Sequence, residues 1–318
     1  MRISTIKFIS TISIFFLACF LVMFFVAIQA PSDFPSGQFD ISVEPNSSLT
    51  SISNSLANKK IISSPFLFKV ISVLSNGRSG VYAGDYRFTE PTNLISVALR
   101  ISQGDQGLPR IKITIPEGTN VSDMAYIYMT KLTNFNAPKF VALARAEEGY
   151  LFPDTYYFLS NAKPEEVIKQ MKTNFESKIN TIKTEIDKSN RSLKDIITMA
   201  SIIEEEARGY EDKRMVSGVL WKRLKEGMLL QVDAPFYFIM TKTSGVTYDD
   251  LKIDSPYNTY KYKGLPKGPI SNPGIESIRA TVNPLPTNYL YYLTGRDGLM
   301  HYATTYDGHL RNKNIYLD

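Results

Sequence analysis

A chain of 318 residues, 43% hydrophobic and 21% charged, has a globular composition with room for two domains and an anchor. The net charge of +5 and pI near 9.0 suit an anionic surface or polymer, but no basic run is interleaved with aromatics, which argues against nucleic acid as a partner. The single cysteine, Cys19, excludes an internal disulfide framework and a cysteine metal cluster.

The first element is the clearest. Arg2 and Lys7 precede residues 8–30, an uncharged apolar run long enough to cross a bilayer as a helix. The run is longer than a usual signal-peptide core, so a retained transmembrane anchor is expected, with a cleaved signal ending near Ala30 as the alternative. Positive charge ahead of the span places residues 1–7 in the cytoplasm and the rest outside. Residues 31–39, with Pro, Ser and Gly, read as a linker.

A weak internal repeat follows. Residues 44–52 (EPNSSLTSI) align without gaps to residues 116–124 (PEGTNVSDM). Each segment follows a short β-branched strand, at 41–43 and 111–115. Each then has a polar turn in which Ser47 or Thr119 could cap a helix. Residues 65–74 and 93–101 read as helices and 84–88 as a strand. Helices are also expected at 136–148, 164–187 and 213–224, and aromatic strands at 289–293 and 301–304. The fold class is α+β, with a module at residues 40–135 and a larger unit at residues 136–318.

Residues 192–208 (SLKDIITMASIIEEEAR) predict an amphipathic helix opened by a Ser192/Asp195 capping box. Leu193, Ile196, Ile197, Ala200 and Ala207 fall on one stripe. Glu204 lies near its centre, while Glu205 and Glu206 point to the flanks or outward. A carboxyl aimed at the apolar side should stay protonated by desolvation, as a general acid requires. The plainer reading is an ion pair, with Arg208 as partner.

Other chemistries find little support. His301 and His309 have no metal-ligand spacing, and neither a nucleophile elbow nor a phosphate-binding loop occurs. The second half instead carries polar-aromatic clusters that suit sugars, which offer flat C–H faces and hydroxyls together.

Five blocks carry a resemblance: residues 200–207 (ASIIEEEA), Gln231-x-Asp233, 257–260 (YNTY), 264–280 (GLPKGPISNPGIESIRA) and 289–293 (YLYYL). With 147–158 (EEGYLFPDTYYF) and 83–89 (AGDYRFT) upstream, they resemble the YceG-like, MltG-type family of endolytic murein transglycosylases, in the family's order. Two departures occur: Ala234-Pro235 follows Asp233, and Asp307 precedes Gly308-His309.

The resemblance implies a LysM-like module before a YceG-like catalytic domain. It implies cleavage of the MurNAc-β-1,4-GlcNAc bond of peptidoglycan to leave 1,6-anhydro-MurNAc ends, limiting strand length, without a cofactor. Glu204 is then the expected catalytic acid-base. Glu206, Gln231, Asp233, Tyr257, Asn258 and Tyr260 are expected to bind substrate or support it. Glycan strands and inner-membrane lipid are the implied partners, and peptidoglycan synthases are candidates. A muramidase-type hydrolase and a non-enzymatic peptidoglycan-binding protein are the competing readings.

Overall fold

The computed structural model describes residues 2–76, 81–240 and 245–317. Helix α1 (Arg2–Ile28) is the apolar run. Its stretch Thr11–Ile28 has a mean hydropathy of 2.8 and is long and apolar enough to cross a membrane.

Beyond α1 the first compact body ends at Pro109 and the second spans Arg110–Asp318. The first contains β1 (Phe39–Val43), α2 (Leu49–Asn58), α3 (Pro65–Asn76), β2 (Gly84–Phe88) and α4 (Leu94–Gln103). Strands β1 and β2 pair antiparallel, with Ile41 opposite Tyr86. Ile41, Leu56, Phe68, Tyr86 and Val97 form its core.

The second body begins with the same βααβ order: β3 (Arg110–Thr114), α5 (Val121–Lys131), α6 (Ala137–Ala144) and β4 (Thr155–Leu159). Strands β3 and β4 are antiparallel, with Ile113 opposite Tyr156. The sequence repeat thus marks two βααβ units. Its caps lie one residue later than the sequence suggested. Ser48 accepts from the Ser51 amide and Asn120 from the Asp123 amide, in place of Ser47 and Thr119.

Residues on both sides of position 135, where the sequence placed a boundary, share one core. The buried Tyr128 ring packs on Phe140 and Phe158, with centroids 5.5 and 5.7 Å apart.

The rest of this body is mostly helical: α7 (Pro164–Thr181), α8 (Lys183–Lys188), α9 (Leu193–Glu206), α10 (Tyr210–Lys225), α11 (Ala234–Ile239), α12 (Ile275–Val282) and α13 (Tyr306–Tyr316). A small hairpin, β5 (Tyr291–Thr294) with β6 (Met300–Ala303), precedes α13. Ser192 caps α9 as expected, accepting from the Asp195 amide at 3.0 Å. Helix α12 packs against both α9 and α10.

Candidate active site

Helix α9 organises the site. Every residue from Ile196 to Ile203 is buried, so the helix is enclosed all round rather than along one stripe. Ile197 and Ala200 join Phe152 and Ile278, while Met199, Ile202 and Ile203 join Val216, Leu220 and Ile270. The acids begin where the enclosure ends. They crowd the C-terminal turn, the negative end of the helix dipole, where anions are disfavoured.

Glu204 meets this cost with a cation. Its Oε1 accepts from Lys213 Nζ at 2.7 Å, and the two side chains are 8% and 4% exposed. Its Oε2 accepts from the Gly274 amide at 2.8 Å. Arg208, the partner expected from spacing, is exposed. Glu117 belongs to the same patch, where burial and the charge of Glu204 raise its pKa. Its carboxyl lies close against Gly274, so a side chain at that position would require the Glu117 carboxyl to move aside.

Glu206 meets the cost differently. Its Oε2 accepts from the Tyr292 hydroxyl at 3.0 Å. Burial raises its pKa to about 7. The Tyr292 bond and Arg223 oppose that rise, while Asp233 and Glu205 add to it. Burial also raises the pKa of Glu205, with the charge of Glu204 adding to it and Ser271 opposing.

Three cavities of about 480, 440 and 590 Å³ meet at Glu206, which lines all of them. Glu204 lines only the 590 Å³ cavity.

The other expected residues divide. Asp233 lines two of these cavities and accepts from the Tyr260 hydroxyl at 2.6 Å. Gln231 lines the 440 Å³ cavity from a left-handed backbone, φ 49°, a conformation that non-glycine residues adopt at some cost. Tyr257 instead packs on Phe238, with centroids 5.1 Å apart. Asn258 is buried and spends its side chain on the backbone. Its amide donates to the Leu251 and Ile253 carbonyls, and its oxygen accepts from the Tyr260 and Lys261 amides.

Sequence reasoning missed two residues that hold the site together. Asn272, fully buried, accepts from the Leu151 amide and donates to the Thr119 carbonyl and to Glu148 Oε1. Glu148 also accepts from the Val121 amide at the start of α5. Burial raises its pKa to about 7 against both of those bonds. Asn272 lies in the proline-rich block, where the only local signal was a stiff loop. Lys213 was read merely as the start of a helix, and its pairing across a turn has no signature in sequence spacing.

The molecule is therefore an α+β protein whose second body carries an acid-centred cleft. Comparison with known proteins sharpens this. The YceG-like family model matches residues 41–315, and the chain belongs to that family. It is 32% identical over 306 residues to the endolytic murein transglycosylase of Bacillus subtilis (strain 168), a match covering 87% of this chain and 84% of that protein. The endolytic murein transglycosylase of Streptococcus pneumoniae serotype 2 is 31% identical over 172 residues, which span 52% of this chain and 31% of that protein. A crystal structure of a YceG-like protein from Listeria monocytogenes superposes with a TM-score of 0.56 at 29% identity, covering 87% of this chain and 99% of that one.

Proposed function

We propose that this chain is an endolytic murein transglycosylase that cleaves the MurNAc-β-1,4-GlcNAc bond and leaves 1,6-anhydro-MurNAc ends. The observation that carries the mechanism is the acid-bearing end of α9, where Glu204 lines a cavity of about 590 Å³ together with Glu205 and Glu206. A carboxyl placed there can give a proton and take one back.

Glu204 is the acid-base residue of this reading, as the family resemblance implies. Lys213 and the Gly274 amide fix its carboxyl beside that cavity. Protonated Glu204 donates to the glycosidic oxygen as the C1–O bond breaks, and the GlcNAc hydroxyl leaves. The carboxylate then accepts the proton of the C6 hydroxyl of the same muramyl residue while its oxygen bonds to C1. The acid is regenerated, no water is consumed, and the internal nucleophile gains from proximity. Tyr292 orients the Glu206 carboxyl. Asp233, held by Tyr260, keeps a negative field beside it that favours the protonated form.

The remaining expectations complete the proposal. Helix α1 anchors the protein in the cell membrane with its N-terminus in the cytoplasm and the cleft outside, so that it limits the length of new strands. The βααβ unit of the first body is the LysM-like module and binds glycan. Peptidoglycan synthases are candidate partners.

The test is digestion of purified peptidoglycan by the wild type, Glu206→Gln and Glu204→Gln, read by mass spectrometry. Anhydro ends from the wild type and none from a folded Glu204→Gln protein are expected. Reducing ends would indicate a hydrolase. Full activity in Glu204→Gln would move the acid role to Glu206.

A further inference from the structure

Helix α3 is apolar on two faces. Phe68 and Ser72 are buried, and Leu67 and Ile71 pack on the core of the first body. On the other side Phe66, Val70, Val73 and Leu74, spaced i, i+4, i+7 and i+8, form a second row. They are 68%, 39%, 44% and 80% exposed. A helix that only covers a core carries polar residues on its outer face. A contiguous apolar row left in water marks an interaction surface.

The chain brings a bilayer close to this row. The last residues of α1, Ala27 and Ile28, are half-buried, and α1 meets α4, which packs against α3. Beyond the span the chain is soon fastened to the same body. Phe34 packs on its core, with its ring 5.6 Å from that of Phe39. Asp33 pairs with Lys60 at 3.3 Å, in the turn that leads into α3. Residues 29–33 span the gap from α1 to that ion pair, a reach of at most about 18 Å. The body is therefore strapped to the end of the span, with α3 just past the strap.

The charge on α3 agrees. Lys69 is its one ionisable residue, and it carries no acid. Lys69 lies beside the apolar row, where its stem can lie along lipid while its ammonium reaches the headgroups.

We propose that the Phe66, Val70, Val73 and Leu74 face of α3 lies in the surface of the bilayer that α1 crosses, as an interfacial helix. This rests on the reading of α1 as a membrane anchor. The first body is then fixed to the membrane at two places, the span and α3. Its βααβ unit stays at the bilayer surface instead of ranging through the wall on a swinging tether.

The test uses the full-length protein in vesicles of phosphatidylethanolamine and phosphatidylglycerol. A nitroxide is attached through Leu74→Cys or, in a second protein, through Leu17→Cys in the middle of α1, each combined with Cys19→Ser. The readout is spin relaxation by oxygen, which concentrates in lipid, against relaxation by a water-soluble nickel chelate. Oxygen dominates at both labels, and the Leu74 label lies about 5–10 Å below the headgroup boundary. Phe66→Glu adds a charge to the row but sits in the first turn of α3, where an acid suits the helix dipole. It moves the Leu74 label into water and leaves the Leu17 label in lipid. Nickel dominance at Leu74 in the unsubstituted row overturns the proposal, as does an unchanged Leu74 signal in Phe66→Glu. Spin–spin broadening between Leu74 labels also overturns it, because a second copy of the chain then covers the row. Failure of the anchor reading looks different, because the Leu17 label is then itself in water.

Discussion

Glu204 and Glu206 stand two residues apart on the last turn of one helix and have opposite surroundings. Glu204 faces the α10 and α12 side, where Lys213 and the Gly274 amide take its two oxygens. Glu206 faces the hairpin side, where a tyrosine hydroxyl and neighbouring acids surround it and burial raises its pKa to about 7. A buried carboxyl can be compensated by a cation or pushed toward its neutral form by desolvation. One helix end uses both devices. Lys213 and the Gly274 amide fasten the acid-bearing turn to α10 and to the loop before α12, and Glu206 is left where three cavities meet.

Removing each carboxyl in turn tests this contrast most strongly. Glu206→Gln should keep the fold and lower kcat only modestly. Glu204→Gln should lower kcat by about 10²–10⁴, the range of acid-base catalysis. It also leaves Lys213 buried without its counter-ion, and breaking such a pair costs roughly 3–5 kcal/mol in denaturant titration. Paired replacement of Glu204 and Lys213 by methionine should recover part of that loss, because no charge then remains buried. Equal stability of Glu204→Gln and the wild type would end the structural assignment.

Asn272→Ala gives the next effect. It strands the Leu151 amide, the Thr119 carbonyl and Glu148 together, at about 1–3 kcal/mol for each buried group that finds no new partner.

A smaller effect follows from pH. The raised pKa of Glu206 means that the folded protein binds this proton more tightly than the unfolded chain does. Its contribution to stability is fully present below the ordinary glutamate range and is lost as pH rises through about 7. Glu148 adds a dependence of the same sign. Glu206→Gln removes one of the two, so its melting temperature should gain on the wild type between about pH 5 and about pH 8.

Much of this architecture was legible in the sequence. An uncharged apolar run gave α1, and Ser192 marked the start of α9. The weak repeat pointed to two similar units, which the strand pairings Ile41 with Tyr86 and Ile113 with Tyr156 bear out as βααβ. Helix α13 went unread because its sequence, YDGHLRNKNIY, carries no apolar stripe and none of its described residues is buried. The surroundings of the three acids were not legible for a related reason. Helical phase ranks positions only when one face is apolar, and α9 is covered on every side through Ile203. What separates Glu204 from Glu206 is the partner each meets, Lys213 or Tyr292, and neither partner lies on α9.

The cleft also has a consequence for the order in which the chain acquires activity. Glu206 meets Tyr292, and its cavities draw on Gly118, Asp233, His309 and Lys313. Asn272 ties residues as distant as Thr119 and Leu151 to the loop before α12. Contacts of such long sequence separation close late in folding. A ribosome that has reached the end of α10 has already made Glu204 and Glu206, but the walls that raise the pKa of Glu206 and seat a strand are still to be translated. Catalytic competence therefore arrives with the C-terminal hairpin and helix, and a chain interrupted before them carries a harmless glutamate.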